Sequence, residues 1–137
     1  MSVAAVEAGL LSAFALLLPA TASRDRTPPV FAGLGSATTC IPGPAVEGRT
    51  GIYQLRWPAA HDNLTPQRRI VYDIYQATSP GGESFARPTY HTRPGATVYA
   101  TPPLSSTLSV YFVVRARDAA GNRDHNRRER QGVNPCV

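Results

Sequence analysis

The sequence predicts an all-β domain, and three observations support that class. Residues 108–117 alternate between two faces, with Val110, Phe112, Val114 and Ala116 on one of them, which is the period of a half-buried strand. The thirteen prolines and eleven glycines separate short segments at intervals of about ten residues, as turns do in all-β domains. No amphipathic helical pattern is found after the first 22 residues.

Seven strands are predicted in order along the chain. Pro28 and Pro29 keep the backbone extended and donate no hydrogen bond, so the first strand is expected at a sheet edge. The fourth strand contains Pro88 and is expected at an edge for the same reason. The sixth strand stops at Asp118, where a turn-forming sequence begins. The predicted strands are residues 30–38, 52–57, 70–77, 84–90, 96–100, 108–117 and 126–133.

The inward faces of these strands predict the core. Trp57 is the one tryptophan of the chain, and we expect it to fill the core because an indole buries a large apolar area. Stacking on a ligand is the alternative role for this side chain. On the third and sixth strands, Asp73, Tyr75 and Arg115 are expected to point outward. The predicted core residues are Tyr53, Leu55, Trp57, Tyr72, Ile74, Leu104, Val110, Phe112, Val114 and Ala116.

The first 22 residues are typical of a secretory signal peptide. Residues 8–18 are apolar but short for a membrane span, and Ala20-Thr21-Ala22 has the small-x-small pattern of a cleavage site. Glu7 precedes the apolar run and no Lys or Arg does, so an uncleaved anchor and a buried helix stay open as alternatives. We expect a secreted, periplasmic or cell-surface protein with one domain at residues 23–137.

Cys40 and Cys136 are the two cysteines of the chain. In an oxidising compartment an even number of cysteines suggests a disulfide, whereas two free buried thiols are the alternative. Their spacing fits no metal-binding motif. The spacing of the two cysteines therefore leaves both the disulfide and the free thiols open.

The basic residues are fourteen arginines, and the net charge is +5. Arg127, Arg128 and Arg130 cluster near the end, where they could bind a phosphate or protect an edge strand from pairing. No aromatic residues are interleaved with them, so we expect no nucleic-acid partner. A membrane contact is expected only if residues 1–22 stay attached.

No catalytic motif is present in the sequence. The chain has no Gly-x-Ser-x-Gly, no His-Glu-x-x-His and no phosphate-binding loop, so we expect neither an enzyme nor a cofactor. His61 and Asp62 follow the second strand, and a second polar group follows the sixth. These loops could supply oxygen ligands to calcium, but we favour turn residues that bond their own backbone, and hence no metal. The second group is Asp118, Asn122, Asp124 and His125.

Four pieces of the sequence resemble the bacterial extracellular branch of the fibronectin type III family. They are TPPVFAGLGSAT at 27–38, YQLRWPAAHD at 53–62, IVYDIYQATSPGGE at 70–83 and LSSTLSVYFVVRARDAAGN at 104–122. The resemblance implies an immunoglobulin-like, seven-stranded antiparallel β-sandwich with the tryptophan on the second strand. It covers residues 27 to about 134.

The chain departs from the family's pattern at one corner, and the implied fold also bears on the two cysteines. The family's Leu-x-Pro-Gly-Thr-x-Tyr corner keeps Leu104, but Val110 stands at the tyrosine position, so we expect a looser corner or a replacement for the tyrosine hydroxyl. In seven alternating strands, the loop after the first strand and the end of the last lie at one pole. The resemblance therefore favours a Cys40–Cys136 disulfide that fastens the C-terminus.

We expect an exported binding or adhesion module that presents loops from a rigid sandwich to a protein or glycan partner. The alternatives are a passive structural or surface-coat domain and a secreted hydrolase inhibitor that acts through loop 40–51 or 79–83. Two binding surfaces are predicted, one at a pole and one on the outward face of the third and sixth strands. The first comprises His61, Asp62, Asn63, Gly121, Asn122 and Asp124, and the second comprises Tyr75, Tyr111, Val113 and Arg115.

Overall fold

Strands make up the regular structure of the described residues, apart from one turn of 3-10 helix at Gln67–Arg69. The structure is a computed structural model that describes residues 24–136, so the predicted signal peptide at residues 1–22 lies outside the described residues. The strands are β1 (Ser36–Thr38), β2 (Thr50–Gly51), β3 (Gln54–Arg56), β4 (Val71–Ala77), β5 (Tyr90–His91), β6 (Val98–Ala100), β7 (Leu104–Ser105), β8 (Tyr111–Arg117) and β9 (Arg130–Gln131).

The strands form two sheets and a small ribbon. One sheet has the order β1-β3-β6, the other has the order β5-β4-β8-β9, and β2 pairs with β7. All these pairs are antiparallel. The longest pairing joins β4 and β8, from Val71 opposite Arg117 to Ala77 opposite Tyr111. The all-β prediction is confirmed, and the antiparallel sheets are consistent with a β-sandwich.

Side chains of both sheets form the hydrophobic core. The Trp57 ring lies 5.2 Å from the Tyr72 ring, and its indole N–H donates to the Ala96 carbonyl at 3.2 Å. Leu104 is half-buried, because the ribbon that contains it lies beside the core. The other nine predicted core residues are all buried; they are Tyr53, Leu55, Trp57, Tyr72, Ile74, Val110, Phe112, Val114 and Ala116.

Several strands are shorter than the sequence predicts. The predicted strand 30–38 divides into an isolated bridge at Val30 and the strand β1, because Gly33 between them has a φ of 88° and interrupts the extended backbone. The predicted strand 126–133 shrinks to β9, since the Asn126 side chain, rather than backbone, donates to the Val114 carbonyl at 2.8 Å.

Other predicted bounds also change. The strand expected at 84–90 is β5, because a turn occupies residues 85–87. The strands expected at 52–57 and 96–100 are β3 and β6. The ribbon strands β2 and β7 lie in segments that were predicted as connections, so the described residues form nine short strands.

The end of the domain that holds β1 and the C-terminus is closed by a disulfide. Cys40 and Cys136 are bonded, with their Cα atoms 5.1 Å apart, which confirms the predicted pairing. A parallel bridge supports it, because the Thr39 N–H donates to the Val133 carbonyl at 2.9 Å. The Asn134 amide also bonds both backbone groups of Ile41. We call this end the disulfide pole.

The corner around Leu104 and Ser106, where we expected a looser turn or a replacement for a tyrosine hydroxyl, is held by Ser106. Ser106 donates its hydroxyl to the Val46 carbonyl at 3.0 Å, and its backbone N–H donates to the Arg49 carbonyl at 2.8 Å. The ribbon pairs Gly51 with Leu104 nearby. A hydroxyl–backbone contact at this corner therefore comes from Ser106.

Candidate functional site

Three segments meet at the end of the domain opposite the disulfide pole. They are the N-terminal segment 24–30, the loop 57–70 between β3 and β4, and the loop 118–129 between β8 and β9. The backbones of Val30 and His61 exchange two hydrogen bonds, of 2.7 and 2.9 Å, which join the first segment to the second. Because it contains several carboxylates, we call this end the carboxylate pole.

Three aspartates, one from each segment, lie together at this pole. Asp25, Asp62 and Asp118 each offer a carboxylate oxygen, and the three oxygens all lie within 4.8 Å of one another. Asp118 is 3 % exposed, and the other two are half-buried. Such a group of oxygens is the kind of donor set that binds a hard divalent cation.

Local turns orient two of these carboxylates. Asp25 Oδ1 accepts the backbone N–H of Thr27 at 3.0 Å. Asp62 Oδ2 accepts the N–H groups of Leu64 at 3.0 Å and Thr65 at 2.8 Å. These are Asx-type turns, so the hydrogen bonds that the sequence predicts for aspartates in loops are present at both positions.

Asn122 connects the third aspartate to the N-terminal segment. Its backbone N–H donates to Asp118 Oδ1 and its side-chain amide donates to Asp118 Oδ2, both at 2.8 Å. The same amide donates to the backbone carbonyl of Asp25 at 3.0 Å. Gly121 permits the turn between them with a φ of 92°. Asn122 therefore fixes the Asp118 carboxylate and links it to the N-terminal segment that contains Asp25.

Two carboxylate oxygens of the cluster have no hydrogen-bond partner. They are Oδ2 of Asp25 and Oδ1 of Asp62, and both atoms are shielded from solvent. Each is the second oxygen of a carboxylate whose first oxygen is used in its own turn. Buried polar atoms are nearly always satisfied, so these two oxygens require an explanation.

The structure separates the predicted pole residues into three groups. Asp62 and Asn122 belong to the cluster, as described above. His61, Asn63 and Gly121 are exposed around it. Asp124 is instead turned inward, where its carboxylate accepts the N–H of Ala116 and the N–H and amide of Asn126.

Sequence reasoning missed Asp25, and a signal for it was present. The segment before the first strand of an alternating sandwich lies at the same pole as the loops after the second and sixth strands. The rule that places Cys40 beside Cys136 therefore also places an aspartate just before Pro28 beside Asp62.

The second predicted surface lies on the face of β4 and β8 away from the core, as expected, but it is covered, so its prediction as an exposed binding surface was wrong. Tyr75, Val113 and Arg115 are 1 %, 1 % and 7 % exposed, and Tyr111 is half-buried. The cause is the segment between β4 and β5, which lays Phe85 over this face. The Phe85 ring lies 3.6 Å from the Arg115 guanidinium carbon and 5.0 Å from the Tyr75 ring.

Burial on this face changes the ionisation of two side chains. Loss of solvent lowers the pKa of Arg115 and raises the pKa of Tyr75. The Arg115 Nε–H donates to the Asn126 carbonyl at 3.0 Å, so the guanidinium is used inside the domain. These contacts show that the segment containing Phe85 packs against this face of the sheet.

Asp73, also predicted to point outward, is fully buried. Its carboxylate accepts a two-point contact from Arg117, at 2.8 and 3.2 Å, and a further contact from Arg123 Nε at 2.7 Å. The hydrogen bonds that Arg117 donates to Asp73 raise the pKa of Arg117. Two guanidinium groups therefore balance the charge of this carboxylate.

Comparisons of the chain with protein-family models, with curated proteins and with solved structures gave no match. Fold and site alone therefore define its class, which is an all-β protein with antiparallel sheets and one long-range disulfide. A disulfide of this kind is typical of proteins in oxidising compartments. Within residues 24–136, no helix has the length and apolar character needed to cross a membrane.

Proposed function

We propose that this protein is an exported, non-catalytic β-sandwich of the fibronectin type III kind, which binds a protein or glycan partner through the loops of its carboxylate pole. The proposal rests on one observation. The loops at this pole carry exposed side chains, and hydrogen bonds between side chains and backbone hold the loops in place. One of these is the 3.1 Å bond from the Ala119 N–H to Thr65 Oγ1. Binding residues on loops over a rigid scaffold are a common arrangement.

The sheet orders support the fibronectin type III assignment. With the ribbon β2–β7 set aside, the described residues have seven strands, three in one sheet and four in the other. Trp57 directly follows β3, the second of these seven strands, and is buried against Tyr72. A seven-strand sandwich of two antiparallel sheets has this division of strands.

The exposed side chains at the pole suit contact with a partner. Leu64 is 68 % exposed and Val30 is 77 % exposed, next to the exposed polar residues His61 and Asn63. Apolar side chains among polar ones are suited to binding, since burying them in a complex is favourable. A preorganised loop also loses less conformational entropy on binding than a free one.

Hydrolase inhibition is a second candidate function, which one observation favours for loop 40–51. The Arg49 guanidinium donates to the carbonyls of Pro42 and Pro44, both at 2.9 Å, and so holds the loop from within. Val46 near its tip is 44 % exposed. The other predicted inhibitory loop, 79–83, is bound to the domain, because Gly81 N–H donates to Glu129 Oε2 at 2.6 Å.

Paired surface variants test the proposed binding site. The full chain, Leu64→Ser and Val46→Ser are each immobilised and exposed to a glycan array and to cell-envelope and culture-supernatant proteins. We expect a partner that the full chain and Val46→Ser retain and that Leu64→Ser loses at least tenfold. Loss in Val46→Ser alone would favour inhibition through loop 40–51, and absence of any partner would favour a passive structural role.

Export is tested separately by intact mass under non-reducing conditions. We expect the mass of residues 23–137 with two fewer hydrogens than the reduced chain, and no thiol that an alkylating reagent modifies without reduction. A protein that retains residues 1–22 and has two reactive thiols would contradict export into an oxidising compartment.

A further inference from the structure

We propose that Asp25, Asp62 and Asp118 form a calcium site, which joins the N-terminal segment to two loops of the carboxylate pole. The charge of the cluster is the first reason. Three carboxylates lie within 4.8 Å of one another, whereas both ion pairs formed by the described residues are made by Asp73. Like charges this close repel one another unless a cation lies among them.

The two unpartnered oxygens are the second and independent reason. Asp25 Oδ2 and Asp62 Oδ1 are buried without any hydrogen-bond donor, although a buried, unpaired polar group costs folding free energy. A bound cation would coordinate both oxygens. The turns of Asp25 and Asp62 use the opposite oxygens and so leave these two free for that purpose.

The number of carboxylates favours calcium over magnesium. Calcium takes six to eight oxygen ligands in flexible geometry, whereas magnesium demands near-ideal octahedral geometry and is usually held by one or two carboxylates and several waters. Asp25, Asp62 and Asp118 offer three carboxylates from three separate segments, which suits the ion that takes more protein oxygens. Water molecules and the second lone pairs of the Asp118 oxygens can complete the six to eight ligands that calcium takes.

Calcium would have a structural effect at this pole. The segment 24–30 is joined to the loops by the Val30–His61 bridge and by the bond from Asn122 to the Asp25 carbonyl. An ion shared by Asp25, Asp62 and Asp118 would add a charged cross-link among all three segments. The inference does not depend on the proposed partner binding.

Asparagine variants of the full chain test the site with calcium itself as the probe. Asp25→Asn and Asp62→Asn remove a charge but keep an Oδ1 acceptor for the turn, so both are expected to fold. Glu47→Gln is the matched control, because Glu47 is exposed in loop 40–51 at the disulfide pole. Each protein is stripped with EDTA, titrated with calcium chloride by calorimetry, and melted with EDTA, calcium or magnesium.

We expect the unaltered chain and Glu47→Gln to bind one calcium ion, with a Kd of about 10⁻⁴–10⁻³ M, as in other extracellular modules. About 10 mM calcium should then raise Tm by roughly 5 °C, with a smaller rise in magnesium. Asp25→Asn and Asp62→Asn should bind calcium at least tenfold more weakly. In EDTA, Asp25→Asn should melt no lower than the unaltered chain, because it relieves repulsion; in calcium it should melt lower.

Three results would overturn the proposal. The first is absence of calcium binding and of any calcium-dependent Tm shift up to about 10 mM, which is about ten times the weakest Kd of such modules. The second is an unchanged calcium response in both aspartate variants. The third is a magnesium response equal to that of calcium.

Discussion

The two poles of the domain are closed by different chemistry. At the disulfide pole, a covalent bond between Cys40 and Cys136 is supported by uncharged contacts, such as those of the Asn134 amide with Ile41. At the carboxylate pole, the three segments are joined by the Val30–His61 backbone bridge, by the bond from the Asn122 amide to the Asp25 carbonyl and by the bond from the Ala119 N–H to Thr65. Three aspartate carboxylates lie beside these contacts. The comparison teaches that one end is held by a covalent bond that depends on redox conditions, whereas we infer that the other depends on ionic conditions.

Asp73 differs from the aspartates of the carboxylate pole, because its negative charge is balanced by basic side chains. Its charge is matched by Arg117 and Arg123, with contacts of 2.8 and 2.7 Å. Arginines supply the balancing charge where the carboxylate is fully buried in the sheet. At the cluster of Asp25, Asp62 and Asp118, we infer that a metal ion supplies it.

Removal of the disulfide should have the largest effect on stability. Replacing Cys40 and Cys136 by serine opens a cross-link between positions separated by 96 residues. The loop entropy of the unfolded chain then predicts a loss of about 4–5 kcal/mol in the free energy of unfolding. Urea unfolding in EDTA measures this loss without a contribution from calcium. A loss below about 1 kcal/mol would show that the uncharged contacts alone hold this pole.

Removal of both arginines from Asp73 should have the next largest effect. Arg117→Ala with Arg123→Ala leaves a fully buried carboxylate without a counter-charge, which should cost about 3 kcal/mol. The matched control is Arg68→Ala with Arg69→Ala, since both these side chains are exposed and the change in net charge is equal. Urea unfolding of both pairs measures the difference. Equal losses in the two pairs would contradict a structural role for the Asp73 contacts.

The smallest effect should come from Glu83, which lies beside Glu129. Burial raises the pKa of Glu83, and the neighbouring Glu129 raises it further, so the folded protein binds this proton more tightly than the unfolded chain. The free energy that this group contributes is therefore greatest at low pH and is lost as the pH rises through the folded pKa. Glu83→Gln should be more stable than the unaltered chain at neutral pH.

The test is urea unfolding of the unaltered chain and Glu83→Gln between about pH 4 and pH 8, a range that spans the ordinary titration of glutamate and neutral conditions. We expect the gain in Glu83→Gln to grow with pH. Exposed Glu47→Gln is the control for the loss of one negative charge. A gain that shrinks with pH would reverse the assigned direction of the shift. The effect should be the same with calcium and with EDTA, which separates this carboxyl pair from the pole.

Much of the fold could be predicted because alternation is a local property. In β8, inward side chains such as Phe112 and Val114 follow from period two alone. The pairing of Cys40 with Cys136 followed from the strand directions that the family resemblance implied. Strand bounds were less accurate, because a single conformation such as that of Gly33 ends an extended segment without changing the pattern.

The sites could be predicted only in part. Asp62 and Asn122 were expected at one pole, and they lie in one cluster. Asp124 belongs to the same loop as Asn122 but turns inward to bond backbone groups, which alternation and composition do not encode. The expected exposure of Tyr75 and Arg115 was wrong, because a segment distant from β8 in the chain covers their face of the sheet.

The sequence by itself determined that the chain forms strands, which side chains face the core, and that its two cysteines can meet. These features depend on the spacing of residues along one strand and on the alternating direction of strands. Only the tertiary structure decided that Phe85 covers one sheet, that arginines surround Asp73, and that Asp25 joins Asp62 and Asp118. Those contacts join segments far apart in the chain, and their free energies depend on burial and charge that exist only after folding.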